Sequence, residues 1–452
     1  MSAAATPNQT VPSLGLVRLR PSTAPLAPVA PAVPVVDLAS LRGRIVDVLV
    51  VGGGPAGSAA ALAALRHRPD ATVVIADLAS FPRDKTCGDG VAPHGLDVLR
   101  ELGVPAAAAG FRPVDRMRLR TPGGAEVATP STRATHVIPR LVFDARLAAA
   151  AAARGACVVR HRVRELAVTT VDGTPAVVVN GGTIAARVVV GADGANSVVR
   201  RSLGVGVNPP EALAIAVRAY ADAPRAELPP EQYIEMTDEG WPAYAWSFPI
   251  GDGRANIGFG MLRSQLTATA AARGDAGAGT ASGRDVLHGT LAAILPDQPA
   301  YPGTLRAHHL PMSTWRPRQP DGQVLLAGDA ASLINPLTGE GIYYALLSGS
   351  LAGDAAMRAV VAGRPARAGA AYRRALGGEL GRHLRHTTLL AGLAGRHRPL
   401  MDAAVRSASR RTELYDTLVE IGLGRGTIPA ASLARLAGRR LLARRAGALE
   451  AV

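Results

Sequence analysis

Residues 45–57 read IVDVLVVGGGPAG, and this stretch decides the fold of the N-terminal part of the chain. The first seven residues are an almost continuous apolar run, which predicts a buried parallel strand. A glycine-rich turn in GxGxxG register follows, and SAAALAALRHR then continues as an alanine-rich helix. The small residues of the turn are Gly52, Gly54, Pro55, Ala56 and Gly57. Such a turn lets a diphosphate approach the backbone and the helix N-terminus, so it predicts a dinucleotide site.

A second strand, ATVVIAD, ends at Asp77, twenty residues after Gly57. A carboxylate at this place is expected to accept hydrogen bonds from a ribose diol. The turn and this carboxylate together do not separate a flavin dinucleotide from a nicotinamide dinucleotide. Further motifs are needed for that choice.

The composition limits the number of domains and the kinds of partner that the chain can have. Its 452 residues are 48% apolar, which predicts two to four structural units with a large core. The net charge of +15 comes almost entirely from arginine and fits either an anionic partner or arginine drift on a solvated surface. We expect no nucleic-acid partner, because neither zinc spacing nor a basic stripe with interleaved aromatic residues is present.

The cysteine count and the apolar runs bear on location. Cys87 and Cys157 are the only cysteines and form no disulfide framework, so we expect a cytoplasmic protein. Prolines interrupt every apolar run of the first 44 residues, which we interpret as a disordered tail. No run approaches the roughly 18 to 20 apolar residues of a membrane span, so any membrane contact is expected to be peripheral.

Two later motifs favour a flavin. Residues 191–200 read GADGANSVVR after an apolar strand, and residues 324–342 read VLLAGDAASLINPLTGEGI before a helix of small residues. In the second motif, an aspartate at a strand end can hold a ribityl hydroxyl, and a glycine-rich turn brings amides and the helix dipole to an anionic isoalloxazine. The candidate residues there are Gly328, Asp329, Pro336, Gly339, Glu340 and Gly341.

The three motifs, in this order and at these separations, resemble the FAD motifs of the flavoprotein hydroxylase superfamily, with a fold like that of para-hydroxybenzoate hydroxylase. The resemblance runs from about residue 45 to 365. It implies FAD as the cofactor and NAD(P)H or another reductant as the electron donor. It also implies that Asp193 and Gly194 serve both FAD and a transient NADPH, and that Arg140 in IPRLVFDARL contacts the cofactor.

The resemblance implies an α/β fold: a Rossmann-type FAD-binding domain with an inserted antiparallel-sheet substrate domain and a helical C-terminal region. The expected division is a Pro/Ala-rich tail at 1–44, the first part of the FAD-binding domain at 45–205, the substrate domain at 206–317, the last part of the FAD-binding domain at 318–365 and the helical region at 366–452.

Two further stretches resemble one branch of this superfamily, the geranylgeranyl reductases. Residues 81–90 read FPRDKTCGDG, close to the DKxCGGG form of that branch, with Asp89 in place of a glycine. The stretch YAWSFP resembles the YxWxFP motif of the same branch. This likeness implies reduction of carbon–carbon double bonds in an isoprenoid or another apolar, lipid-like substrate. A role in making an antibiotic or another specialised metabolite fits the same chemistry.

Successive side chains of a strand alternate between faces, so Tyr244, Trp246 and Phe248 are predicted to point the same way. They either form the core face of a sheet or line an apolar substrate cavity over the flavin. In the second case Tyr244 and Trp246 stabilise positive charge that develops on the substrate. Phe248 and Asp89 are then expected to line the substrate site.

The resemblance places Cys87 near the flavin, where the thiol either relays a proton or only packs. Lys85, the single lysine of the chain, pairs with Asp84 or Asp89, approaches a cofactor phosphate or substrate headgroup, or has no role. The alternative function is an FAD-dependent monooxygenase that hydroxylates or epoxidises a specialised metabolite. A flavin halogenase and an FAD-carrying binding protein fit the motifs less well.

Overall fold

The computed structural model describes residues 30–224, 230–272 and 283–428, with the side chains of 270–272 left aside. The strands are β1 (Ile45–Val51), β2 (Val73–Asp77), β3 (Gly90–Val91), β4 (Pro113–Arg120), β5 (Glu126–Val137), β6 (Cys157–Arg160), β7 (Leu166–Val171), β8 (Thr174–Val179), β9 (Ile184–Gly191), β10 (Leu213–Asp222), β11 (Glu231–Thr237), β12 (Ala243–Pro249), β13 (Arg254–Leu262), β14 (Arg306–Pro311) and β15 (Val324–Leu326). The helices are α1 (Pro55–His67), α2 (Pro93–Glu101), α3 (Arg140–Ala153), α4 (Val198–Ser202), α5 (Arg263–Ala272), α6 (Gly283–Ile294), α7 (Ile342–Val361), α8 (Ala368–Arg396), α9 (Arg398–Ala408) and α10 (Thr412–Leu423).

The first sheet has the order β6-β2-β1-β9-β8-β7, with β15 also paired to β9. The pairs among β6, β2, β1, β9 and β15 are parallel, whereas β7, β8 and β9 pair antiparallel. Strands β1 and β2 are buried along nearly their whole length, as their continuous apolar sequences require. This sheet carries the predicted Rossmann-type part of the α/β fold, with the glycine turn at the carboxyl end of β1.

Helices α1 and α7 pack against each other at backbone distance. A Cβ atom added at Gly349 or Gly353 of α7 would lie 2.0 Å from the carbonyl oxygen of Ala56 or Ala60 of α1, respectively. Only glycine permits this approach. The contact brings the N-termini of both helices, and therefore the first and third motifs, to one region of the molecule.

The second sheet has the order β14-β10-β13-β12-β11-β4-β5-β3 and is antiparallel except between β11 and β4. Three of its strands lie within residues 90–137, a segment that the sequence-based division placed in the first part of the FAD-binding domain. Of these, β4 pairs with β11, more than ninety residues further along the chain, and the sequence pattern does not reveal that pairing. The second sheet therefore includes strands from outside residues 206–317.

The predicted tail is also shorter than expected within the described residues. Val33 and Leu41 are buried, and the Val36 amide donates a hydrogen bond to the carbonyl oxygen of Val158 at 2.7 Å. Residues 30–44 are thus ordered, because their few apolar side chains find places against the first sheet. Residues 1–29, residues 273–282 within the stretch ARGDAGAGTASGRD, and the closing ARLAGRRLLARR stretch lie outside the described residues.

The carboxyl-terminal region from residue 368 to 423 is helical, as predicted. Helices α9 and α10 pack on β5 through Val127, Val405, Ala408 and Tyr415. Among the described residues, none of the helices combines the length and the apolar character that crossing a membrane demands.

Candidate active site

A cavity of about 1440 Å³ lies where the two sheets and the C-terminal helices meet. Its walls come from the glycine turn after β1, the segment 83–90, one face of the second sheet, the loop before α7 and helices α8 to α10. All three sequence motifs therefore line the same cavity, although the first and the third are more than 270 residues apart in the chain. Most of the predicted site residues contact this space.

The glycine turn forms one end of the cavity. Gly52 has a φ of 97°, and a Cβ atom at Gly57 would lie 1.8 Å from the carbonyl oxygen of Gly52, so both positions require glycine. Gly52, Gly54, Pro55 and Ala56 line the cavity, whereas Gly57 is packed behind them. The first turn of α1 has no side-chain cap, and its amides face this end of the cavity.

Asp77 and Arg140 line the same end. Asp77 accepts a hydrogen bond from the Gly53 amide at 2.8 Å, which fixes the turn against β2. Arg140 donates two hydrogen bonds to Asp144, at 2.6 and 2.8 Å, and Arg83 donates to the same carboxylate at 3.1 Å. The two guanidinium groups are thus held side by side at the cavity surface, and their positive charge suits an anionic group.

The middle motif, GADGANSVVR, partly serves to stabilise the start of α4. The Asp193 carboxylate accepts hydrogen bonds from the Ser197 hydroxyl at 2.5 Å and the Val198 amide at 2.6 Å, so it caps α4. Burial raises the pKa of Asp193, and these hydrogen bonds oppose that effect. Asp193 and Gly194 both line the cavity, and Gly194 has a φ of 78° that favours glycine.

The third motif forms the wall at the N-terminus of α7. Asp329, Pro336, Gly339, Glu340 and Gly341 line the cavity. Gly328 lies behind them, and its amide donates a hydrogen bond to the Ser348 hydroxyl at 2.9 Å. Burial raises the pKa of Glu340 to about 7, although its carboxylate accepts a hydrogen bond from the Tyr343 amide at 2.7 Å.

Lys85 pairs with Asp329, at 3.3 Å between Nζ and Oδ2, and both residues line the cavity. Of the alternatives open for Lys85, pairing with Asp84 or Asp89 is not found. Asp84 is instead bound by the buried Arg218, at 2.8 Å. His308 lines the cavity as well, and burial lowers its pKa to about 4, with Lys85 adding to the effect.

Tyr244, Trp246 and Phe248 share one face of β12 and all line the cavity; we call them the aromatic wall. Their ring centroids lie 6.0 Å apart between Tyr244 and Trp246 and 6.4 Å apart between Trp246 and Phe248. The Tyr244 hydroxyl donates to the carbonyl oxygen of Thr338 at 2.6 Å, which ties the wall to the third motif. Burial raises the pKa of Tyr244 well above its usual value, so the phenol stays protonated.

Cys87 lines the cavity beside the aromatic wall, and a Cβ atom at the next residue, Gly88, would lie 3.5 Å from Trp246 Nε1. Burial raises the pKa of the Cys87 thiol, and the Arg140 guanidinium partly offsets that increase. The resting group is therefore a neutral thiol with a cation close by.

Asp89 does not line the cavity, contrary to the expectation from sequence. Its side chain is completely buried behind Cys87 and Gly88. The Tyr220 hydroxyl and the Asn256 side-chain amide each donate a hydrogen bond to it at 2.8 Å. These donors draw the carboxylate away from the cavity and under the loop.

Sequence reasoning missed the second apolar wall of the cavity. It consists of side chains of β4 and β11 on one side and of the C-terminal helices on the other: Met117, Leu119, Ile234, Met236, Leu390, Leu393, Leu400, Met401, Leu418, Val419 and Leu423. The only signal in the sequence was the apolar content of stretches such as LYDTLVEIGL, which gave no indication of what they cover. We call the part of this wall that comes from residues 388–423 the helical roof.

The residues at the glycine-turn end fit a dinucleotide that carries a flavin. The uncapped first turn of α1, Arg83 and Arg140 suit a diphosphate. At Gly54, the nearest atoms to an added Cβ are the ends of these two arginine side chains, at 3.6 and 3.7 Å, so both guanidinium groups lie directly against the turn. Asp329, Glu340 and Gly341 surround the place where the cavity passes from this end to the aromatic wall.

Comparison with known proteins agrees with this geometry. The FAD binding domain family matches residues 45–347. A menaquinone reductase of Mycolicibacterium smegmatis is 37% identical over 327 residues, which cover 68% of this chain and 75% of that protein. A digeranylgeranylglycerophospholipid reductase of Methanopyrus kandleri is 30% identical over 338 residues, which cover 70% of this chain and 77% of that protein. Among solved structures, a geranylgeranyl bacteriochlorophyll reductase-like protein of Thermoplasma acidophilum has a TM-score of 0.63 and 21% identity and covers 86% of this chain and 95% of its own.

Proposed function

Because the chain belongs to the geranylgeranyl reductase family of FAD-dependent, para-hydroxybenzoate hydroxylase-like oxidoreductases, we propose that it reduces carbon–carbon double bonds of an isoprenoid or other apolar substrate. The names of the two relatives support the substrate class, since menaquinone and digeranylgeranylglycerophospholipid are both lipids with isoprenoid chains. The proposal includes NAD(P)H or another reductant as the source of electrons.

One observation carries the proposal: the aromatic wall and Cys87 face the same cavity as the cofactor motifs. Beyond the wall, the cavity continues between apolar side chains of the second sheet and the helical roof. A polar substrate would lose hydration there without finding partners, whereas an isoprenoid chain would be stabilised by burial. The composition of the cavity therefore favours a long apolar substrate.

When bound, reduced FAD supplies the hydride that one carbon of the double bond receives. The second carbon needs a proton, and we assign it to the Cys87 thiol, which is neutral at rest. The thiolate left behind is stabilised by the Arg140 guanidinium and regains a proton from water. Tyr244 and Trp246 present aromatic faces to the positive charge that builds on the substituted carbon, each contributing about 0.5 to 2 kcal/mol.

The remaining predicted residues act on the cofactor in this proposal. The turn at Gly52, Gly54 and the start of α1 binds the diphosphate, with Arg140 beside it. Asp77 orients the ribose. Asp329, held by Lys85, orients the ribityl chain, and the backbone of the loop before α7 stabilises negative charge on the flavin.

Substrate entry is proposed at the helical roof. Leu400 and Leu418 line the cavity and are also 43% and 38% exposed, so the apolar wall reaches the surface between α9 and α10. The neighbouring Arg396 is exposed too. An apolar opening beside a positive charge suits uptake of a lipid from an anionic membrane surface, where contact of this protein would be peripheral.

The decisive test is an anaerobic single-turnover experiment. The bound flavin is reduced, and a polyprenyl substrate, such as a menaquinone, is then added without oxygen. Reoxidation of the flavin with a product heavier by two hydrogen atoms is expected. If the flavin is reoxidised only after oxygen is admitted, and the product gains an oxygen atom, the protein is a monooxygenase and the proposal is wrong.

The role of the aromatic wall is tested separately. Replacing Trp246 with Leu should slow turnover by about fivefold or more while FAD binding stays unchanged, because the change removes an aromatic face from the substrate side of the cavity. Tyr244→Leu should slow turnover as strongly but also weaken FAD binding somewhat, because it breaks the hydrogen bond to Thr338 in the third motif. Trp315→Leu is the matched control, since Trp315 is 36% exposed and lies outside the cavity. Turnover that is equal in all three variants would remove the wall from the mechanism.

A further inference from the structure

Asp89 occupies its position at a physical cost. Its backbone has a φ of 61°, a left-handed conformation that glycine adopts without strain, and its side chain is completely buried. The pKa of Asp89 is raised to about 6 by burial, which Arg218 partly opposes. A glycine here would avoid both costs. The carboxylate must therefore be retained for the contacts that it makes.

Those contacts lead to two groups of the proposed site. The Asn256 side-chain amide donates to Asp89 Oδ2 at 2.8 Å and to the carbonyl oxygen of Cys87 at 2.9 Å. Its own oxygen accepts the indole N–H of Trp246 at 2.9 Å. The Asp89 carboxylate and the Cys87 carbonyl oxygen can only accept, and the Trp246 indole can only donate. Together these groups direct the NH₂ group of Asn256 toward the two acceptors and its oxygen toward the indole. The charged carboxylate thus anchors, by a hydrogen bond, the amide that binds both residues.

The same carboxylate also secures the loop from two other elements. Tyr220 of β10 donates its hydroxyl at 2.8 Å, and the backbone amide of Arg140, at the start of α3, donates to Oδ1 at 3.3 Å. The charged or titratable groups that face Asp89 are Arg218 and Tyr220 from β10, Asp84 and Cys87 from its own loop and Arg140 from α3. Three elements of the fold therefore meet at this side chain.

We propose that Asp89 is a positioning residue: through Asn256 it holds the Cys87 loop and the Trp246 indole in the orientation that protonation of the substrate requires. The predicted effect of Asp89 on turnover depends on the proposed function being correct. Its predicted effect on the position of the Cys87 loop does not. Protonation of the carboxylate removes the charge that strengthens its hydrogen bond from the Asn256 amide and so weakens this anchor. Turnover should therefore fall as the pH drops below about 6, the pKa that burial gives this carboxyl.

The test uses the reactivity of the Cys87 thiol in the FAD-loaded, full-length protein. Cys157→Ser serves as the background, so that Cys87 is the only thiol, and alkylation by a maleimide is followed at pH 7.5. In this background Asp89→Asn should be alkylated about fivefold faster, the change expected when one hydrogen bond that holds the loop is lost. Asp172→Asn is the matched control and should react at the parental rate, because Asp172 also has a positive φ, of 47°, but is exposed in the β7–β8 turn.

Turnover supplies the second measurement. In Asp89→Asn, kcat should fall about tenfold while KM and FAD content stay within twofold, and the loss of activity below pH 6 should disappear. Asp89→Gly suits the left-handed backbone and serves as the variant that folds if Asp89→Asn does not; it should show the same faster alkylation. Equal alkylation rates in the parent and the folded variant would overturn the proposal. Faster alkylation in a protein that shows no polyprenyl turnover would instead contradict only the proposed function.

Discussion

Two residues of the aromatic wall pair with glycines of the neighbouring strand β13, and a substitution at one of these glycines tests the role of the wall. Gly258 pairs with Trp246, and Gly260 pairs with Tyr244, in the antiparallel register of β12 and β13. The indole of Trp246 lies over Gly258 so closely that an added Cβ atom would be 2.1 Å from its Cζ2 atom and 2.5 Å from the carbonyl oxygen of Val217. We predict that Gly258→Ala displaces the indole into the cavity.

The magnitude follows from these distances. Ordinary contact begins at 3.4 Å, so the ring must move by about 3.4 − 2.1 = 1.3 Å. Such a shift breaks the 2.9 Å hydrogen bond from the indole to Asn256. Overpacking costs about 1 to 3 kcal/mol, and the lost hydrogen bond costs about 1 kcal/mol more. We expect the free energy of unfolding to fall by about 2 to 4 kcal/mol and turnover to fall more than tenfold.

Urea unfolding of the FAD-loaded protein measures the first quantity, and single-turnover flavin reoxidation measures the second. Gly260→Ala is the matched control, because its added Cβ would lie 3.2 Å from the Ala216 Cβ, a contact that a small shift relieves. Adding Trp246→Phe to Gly258→Ala should recover part of the stability, since the smaller ring yields space while the contact with Val217 remains. A Gly258→Ala protein as stable and active as Gly260→Ala would refute this account of the wall.

Three other outcomes are expected. Asp329→Ala should yield a folded protein that has lost most of its yellow flavin absorbance, whereas the exposed Asp321→Ala should retain it; equal flavin content would count against the assignment of Asp329. Burial raises the pKa of Glu340 from a usual 4.5 to about 7, so the folded protein favours the protonated side chain. The contribution of Glu340 to the free energy of unfolding is therefore fully present below pH 4.5 and is lost as the pH rises through 7. The apoprotein should therefore lose about 1 to 2 kcal/mol over this range, allowing for solvent in the cavity, and Glu340→Gln should show a smaller loss in thermal unfolding at pH 5 and 8. Gly353→Ala should lower the free energy of unfolding by about 3 kcal/mol and weaken FAD binding, because its Cβ would lie 2.0 Å from the Ala60 carbonyl oxygen; an unchanged urea midpoint would contradict this.

The part of the fold that depends on short-range pattern could be predicted from the sequence. The apolar run IVDVLVV is β1 from Ile45 to Val51, and the predicted second strand ends at Asp77 as the structure has it. The common face of Tyr244, Trp246 and Phe248 followed from the two-residue period of a strand. In each case the information lies within a few residues, because backbone conformation and side-chain direction are local properties.

The missed features depend on contacts between distant parts of the chain. Lys85 meets Asp329 across 244 residues, and no local pattern selects that partner over Asp84 or Asp89. The burial of Asp89 depends on donors from β10 and β13, and the pairing of β4 with β11 depends on the whole second sheet. A polar residue in a polar loop gives no sign that other strands will close over it.

The helical roof has a consequence for how this protein could diversify. The match to the FAD binding domain family ends at residue 347, whereas the roof begins at residue 388. The shape of the apolar space can therefore change through cavity-lining side chains of the roof. The backbone at the end of α10 must be kept, because Asn335 and Thr338 of the third motif donate hydrogen bonds to the carbonyl oxygens of Ile421 and Gly422 at 2.9 and 2.6 Å. Relatives that keep one redox centre could accept lipids of different length and bulk by changing only these side chains, and grafting the roof side chains of a relative onto this chain would be a direct way to redirect it.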